Sequence, residues 1–222
     1  MKLSKIIFLL SIAALLNSCA SGYKMIKPTT LNYISNNTGN GVAMEYKYDL
    51  LSKKYAKKES KKGLRLVAVK IKNNTEKDLV FGRDIKLSFE NGNELYLLEN
   101  EKTFKSLKQS PASYLFYLLL SPINFYTTET NSYGVAEQTS STPVGLLIGS
   151  GLAAGNMIAA SNANKKFKTE LNDYNINGTI IKKGETSFGL ISFQSDNYNA
   201  IKITVNQEAV IPNEKQPEVS KI

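Results

Sequence analysis

Leu64-Arg65-Leu66-Val67-Ala68-Val69-Lys70-Ile71 is the stretch on which the fold turns. Six of its eight residues are apolar, and the turn-forming Asn73-Asn74-Thr75 closes it. A short, β-branched, almost unbroken apolar run reads as a central strand covered on both faces.

The sequence on either side agrees. Upstream, Val42, Met44, Tyr46 and Tyr48 alternate with Ala43, Glu45, Lys47 and Asp49, the period of a half-buried strand. Downstream, Ile85, Leu87 and Phe89 alternate with Lys86, Ser88 and Glu90, and Asn91-Gly92 signals a hairpin before Leu95 to Leu98. Short β-branched or aromatic runs return at Thr179 to Ile181, Phe188 to Phe193 and Ile201 to Val205. The expectation is a mainly β domain over residues 42–210: an antiparallel β-sandwich of immunoglobulin-like form. Its tail, 211–222, is polar and expected to fray.

Between the early and late strands lies an insert of about 103–172. No charge occurs from Gln109 to Thr128, nor from Pro143 to Asn164. The expected structure is an α-helical hairpin. Gly151, Gly155, Ala159 and Ala163 recur every four residues in its second segment, and Gly145, Gly149 and Ala153 form another row. Each row makes a flat strip that lets another backbone approach. This spacing resembles the glycine-zipper segments of some envelope and pore-forming proteins, which implies membrane contact or self-association. Ser150, Asn156, Ser161, Asn162 and Asn164 oppose that use, being costly in lipid. Packing on the fold is the expected role, and membrane contact or oligomer contact the alternative.

The N-terminus begins with Lys2 and Lys5, continues with the apolar run Ile6 to Leu16, and reaches the sole cysteine, Cys19. That order is a signal peptide, too short to span a bilayer. Leu16-Asn17-Ser18-Cys19 resembles the lipobox of bacterial lipoproteins. The resemblance implies cleavage after residue 18 and acylation of Cys19. It also implies an outer-membrane location, with no cysteine left for an intramolecular disulfide. The polar, turn-rich residues that follow are expected to form a lipidated tether over 19–41 that ends in an edge strand.

Composition narrows the chemistry. There is no histidine, which excludes Ser-His-Asp and Cys-His catalysis and Cys/His zinc sites. No nucleophile elbow or phosphate loop occurs, so no catalytic residue, metal or cofactor is expected. A carboxylate pair meeting in space is the residual route to a hydrolase. Gly149-Ser150-Gly151-Leu152-Ala153-Ala154-Gly155 approaches a dinucleotide-binding loop, with Glu170 or Asp173 for the ribose. Its last spacing is one residue too long, and repeated strand-helix units are missing around it.

The net charge is +9. Lys53, Lys54, Lys57, Lys58, Lys61 and Lys62 cluster between two expected strands. They are candidates for an anionic surface such as lipid headgroups, or simply a solvated segment. Only Tyr55 interleaves with them, so nucleic acid is not an expected partner. The expected function is a non-catalytic, lipid-anchored envelope protein that docks a protein partner or the membrane. The alternative is a membrane-perturbing or oligomerising protein that acts through the insert.

Overall fold

The computed structural model describes residues 19–206, so the expected signal peptide and the expected 211–222 tail lie outside the described residues. Among the described residues strand and helix each take 32%, and the sheets are antiparallel. Two compact units form: one from residues 24–107 and 167–206, the other from residues 19–23 and 108–166.

The first unit holds most of the strands. Its main sheet has the order β1-β2-β3-β9, built from Ser35–Gly39, Val42–Lys47, Leu64–Asn73 and Thr186–Gln194. β3 is central, paired with β2 on one side and with β9 on the other, where Leu64 faces Gln194 and Lys72 faces Thr186. Alternation sends Val67, Val69 and Ile71 to one face of β3 and Leu64, Leu66 and Ala68 to the other, and all six are buried. Both faces are therefore covered, which is why the run is apolar without interruption.

On the first face, β5 (Ile85–Phe89) pairs with β10 (Ile201–Val205), and β4 (Leu79–Val80) with β8 (Ile180–Ile181). Leu79, Phe81, Ile85, Leu87, Ile181 and Ile203 join Val67, Val69 and Ile71 in one buried cluster. β1 meets β10 closely enough that a Cβ on Gly39 would lie 2.6 Å from the Ile203 carbonyl oxygen. Asn37 Oδ1 accepts the Ile203 N–H at 2.8 Å. At the other end of this core, Asn73 is fully buried. Its amide donates to the carbonyls of Lys77 and Ile181, while its Oδ1 accepts from the backbone and hydroxyl of Thr75.

On the opposite face lie α1 (Lys53–Lys61) and α2 (Asn100–Leu107). Tyr55 and Glu59, four residues apart, form the buried stripe of α1. Tyr55 packs edge-on against Phe167 at 5.1 Å, and Glu59 accepts the Leu66 N–H at 2.8 Å.

Three expectations change here. The Asn91-Gly92 turn forms, with Gly92 at φ 86°, but Leu95 to Leu98 does not return as a full strand. What remains of the return is a bridge from Glu94 to Ser88 and the Leu95 N–H donating to the Leu87 carbonyl, while β10 pairs along the other edge of β5. The 19–41 segment, expected as a tether ending in an edge strand, forms that strand as β1 but is already ordered before it, with a 3-10 turn at Pro28–Thr30. Within it the Ile26 and Lys27 N–H groups donate to the buried carboxylate of Glu170. Finally, the insert is not a pair of α-helices.

The second unit contains three pieces of that insert: a 3-10 helix (Pro111–Leu120), the hairpin β6–β7 (Phe125–Thr130 and Ala136–Thr142), and most of α3 (Val144–Asp173). Ten residues is long for 3-10 geometry. Residues three apart eclipse in such a helix, so Tyr114, Tyr117 and Leu120 line up on its packed side. Every residue of β6 and β7 is exposed. Asn131 Oδ1 accepts the Tyr133 and Val135 N–H groups, and Gly134 at φ 75° completes their turn.

Candidate functional site

The unit that carries Cys19 is organised around one face of α3. Gly145, Gly149, Ala153, Asn156, Ala160 and Asn164 are buried in succession along it. The glycines are there for contact. A Cβ on Gly145 would stand 2.0 Å from the Leu120 carbonyl oxygen, and one on Gly149 would stand 2.7 Å from that of Tyr117. The row Gly145, Gly149 and Ala153 is thus the seat of the 3-10 helix.

The other row behaves differently. Gly151 and Gly155 face open space, and Ala159 is exposed. Ala163 is buried although it continues the same sequence spacing. The reason is rotation: each step of four residues advances about 40° beyond a full turn, so 12 residues carry a row about 120° around the helix. The structure separates four residues expected to act together into three on the outer face and one inside.

The chain after Cys19 is held by paired amides. The Ser21 N–H donates to Gln109 Oε1 at 3.0 Å, and Gln109 Nε2 donates to the Ser21 carbonyl at 2.6 Å. Gln109 is itself held in the same way: its N–H donates to Asn164 Oδ1 at 2.8 Å, and Asn164 Nδ2 donates to its carbonyl at 2.9 Å. One residue closer to the cysteine, the Ala20 N–H donates to Asn156 Oδ1. Cys19 Sγ lies 4.0 Å from the Tyr117 hydroxyl. Gln109 escaped the sequence reading because it counted only as the first residue of an uncharged stretch.

These pairings alter the argument from polar residues. Asn156 and Asn164 do not face outward, and their amides are spent inside the unit. Ser150 is exposed, but its hydroxyl donates back to the Leu146 carbonyl at 2.5 Å. Ser161 and Asn162 stand on the outer side near the end of the uncharged stretch.

The outer surface is strongly apolar. Leu147 is 73% exposed, Ile158 62%, Phe116 74% and Leu119 74%. Among the described residues, fourteen of the nineteen exposed large hydrophobic side chains belong to this one unit. Single exposed hydrophobics are ordinary on a protein surface; a contiguous concentration marks a contact surface. α3 is also long and apolar enough, by length and composition, to cross a membrane.

The remaining candidates lie in the strand-rich unit. The lysine cluster is α1 with its capping residue Lys62. Lys53, Lys57, Lys61 and Lys62 are exposed, and Lys54 and Lys58 are half-buried. Lys58 and Lys62 share a shallow depression with Glu99, Glu101, Lys102 and Lys105, so the surface there carries both signs. The glycines considered for a dinucleotide loop lie inside α3, and the residues before them, Val144 to Ile148, form its first turn, where such a loop would follow a strand. Glu170, considered for a ribose contact, is committed to the Ile26 and Lys27 N–H groups.

Among the carboxylates that could form a catalytic pair, Asp84 is buried. It pairs with Arg83 at 2.8 Å and accepts the Val80 N–H, and the Arg83 guanidinium holds it below the usual carboxylate range. Glu45 pairs with Lys70 at 2.7 Å. Among the described residues, no three His, Cys, Asp or Glu side chains gather to hold a metal ion.

No protein-family model, curated protein or solved structure matches this chain.

Proposed function

We propose that the protein is a lipid-anchored component of the bacterial cell envelope with a non-catalytic role. Its Cys19-bearing unit rests against the membrane, and its strand-rich unit, an immunoglobulin-like sandwich, docks a partner. One observation carries this reading. The cysteine of the lipobox-like sequence and the concentration of exposed apolar side chains belong to the same compact unit. Acyl chains on Cys19 bring that surface to the bilayer. Each large apolar side chain then removed from water contributes about 1.5–3 kcal/mol. A single acyl chain binds membranes only marginally, so a second apolar contact adds materially to anchoring.

Seating at the headgroup boundary suits the unit better than a full crossing. The hairpin β6–β7 has no other strand beside it among the described residues, and open sheet edges do not occur in hydrocarbon. The buried side of α3 is already occupied by its own fold.

The same hairpin favours a second reading, self-association on the membrane. An isolated two-stranded hairpin is marginal in water, and an outer helix row of Gly151, Gly155 and Ala159 accepts close approach by another helix.

Flotation of the full chain with liposomes tests the first reading. Cys19→Ser is expected to weaken flotation and leave part of it. The triple change Cys19→Ser, Leu147→Asp, Ile158→Asp is expected to abolish it. Equal flotation of both variants, or none by Cys19→Ser, removes the apolar surface from the mechanism. Oligomers that form in detergent and vanish in Gly155→Leu support the second reading.

A further inference from the structure

The strand-rich unit has a cavity of about 370 Å³ beside the end of β2 and the loop that joins β9 to β10. Tyr48 and Tyr198 make its aromatic corner, with ring centroids 5.4 Å apart and planes at 83°. The corner is fixed from several directions. The Tyr48 hydroxyl donates to the Asn199 carbonyl at 2.8 Å, and the Asp49 carboxylate acts electrostatically on the Tyr198 hydroxyl. Tyr46 stands edge-on to Tyr48 at 6.0 Å and accepts the Ile201 N–H.

Beneath Tyr198 lies Arg65, whose Cζ is 4.4 Å from the ring centroid. Arg65 is only 5% exposed, and its guanidinium donates to the carbonyls of Leu64 and Asp196. A guanidinium stacked on an aromatic face stiffens it. Tyr198 nevertheless remains 56% exposed and lines the cavity. It is therefore an aromatic platform supported from behind and open in front.

The rest of the lining decides the ligand class. Asp49, Lys47, Ser35 and Asn199 bring a carboxylate, an ammonium, a hydroxyl and an amide. No single sign of charge dominates, which disfavours a simple anion or cation. The polar share disfavours a purely apolar guest. The volume lies near the small end of ligand clefts, at about 300–1,000 Å³, which suits one or two rings. Burial, with Tyr46 nearby, raises the Tyr48 phenol far above its ordinary range, and the Asp49 carboxylate raises that of Tyr198. Both rings stay neutral and present ordinary aromatic faces.

We propose that this corner binds a pyranose ring of a glycan, its C–H face stacked on Tyr198 and its hydroxyls hydrogen-bonded by Asp49, Lys47 and Asn199. The proposal depends on the envelope reading only for the supply of glycan, which is either the N-acetylated backbone of the cell wall or an unacetylated oligosaccharide.

The test uses the full chain in a sugar-free detergent, titrated separately with chitotriose and maltotriose and followed by NMR. Saturable shifts at Tyr48, Asp49 and Tyr198 are expected. Binding of chitotriose alone assigns an N-acetylated glycan; binding of maltotriose, alone or with it, assigns pyranoses lacking that requirement. Tyr198→Ala should weaken binding about tenfold or more, while Tyr198→Phe keeps the platform and stays within about threefold. Asn199→Ala, which leaves both rings in place, serves as the second variant should Tyr198→Ala fail to fold, and it too should weaken binding. No response to either sugar, or unchanged affinity in a folded Tyr198→Ala or Asn199→Ala, overturns the proposal. Because the readout is local and needs no membrane, its failure leaves the flotation result untouched.

Discussion

The side-chain amide of Gln109 pairs with the backbone of Ser21 as one strand residue pairs with another, donating to its carbonyl and accepting from its N–H. Asn164 repeats the arrangement one step deeper, on the backbone of Gln109. Three segments remote in sequence are thereby joined without a sheet. Gln109→Ala leaves buried backbone groups without partners, which costs about 1–3 kcal/mol. The expected result is a lower urea midpoint for the full chain in detergent, with faster hydrogen exchange at Ser21. An unchanged midpoint and unchanged exchange would show that the paired amides hold nothing.

The two glycine rows of α3 predict opposite responses to one added methyl group. Gly155→Ala meets open space and gains helix propensity, for a stabilisation of about 0.5–1 kcal/mol. Gly145→Ala pushes a methyl group into the Leu120 carbonyl and costs about 1–3 kcal/mol. Thermal midpoints should move up for the first and down for the second. Shifts in the same direction would mean that the two rows are not distinct.

Glu59 is a buried carboxyl group on a helix otherwise crowded with lysines. Burial raises its pKa, partly offset by the Leu66 N–H and by Arg65. A carboxyl raised on folding binds its proton more tightly in the folded state. Its stabilising contribution is present below the unfolded value of about 4.3 and is lost as pH climbs through the raised value. Glu59→Gln keeps an acceptor for the Leu66 N–H and cannot ionise. Urea midpoints at about pH 4.5 and pH 8 should therefore fall with pH in the wild type and fall less in the variant. Parallel pH profiles would remove Glu59 as the cause.

Asn73 ties the end of β3 to two neighbouring loops through four hydrogen bonds. Asn73→Ala should cost about 2–4 kcal/mol, since several buried groups lose partners together. That corresponds to a thermal midpoint lower by several degrees. A change below one degree would show that water or a local shift replaces the bonds.

What could be read from the chain depended on whether burial left a period in it. β2 and β3 were legible because one is buried on alternate residues and the other on both faces along most of its length. β6 and β7 were not, since their threonines and serines are exposed on both faces and no apolar alternation marks them. The run from Tyr114 to Leu120 reads in sequence as part of an α-helix and folds as a 3-10 helix. Its packed residues fall three apart, the 3-10 spacing, which is easily missed in a stretch apolar throughout. Cys19 stood out by chemistry alone. Its surroundings did not, because an amide that grips a backbone leaves no spacing pattern.

The grip on Ser21 also sets a length. A free segment from Cys19 to Gly41 would give a domain a leash with a reach of about 25 Å. With Ser21 clamped, the cysteine stands two residues from a fixed point, an extension of about 7 Å. A protein acylated at Cys19 would then behave less like a buoy on a line than like a limpet. It would search in two dimensions, and any sideways pull on its Cys19-bearing unit would reach the lipid almost undamped.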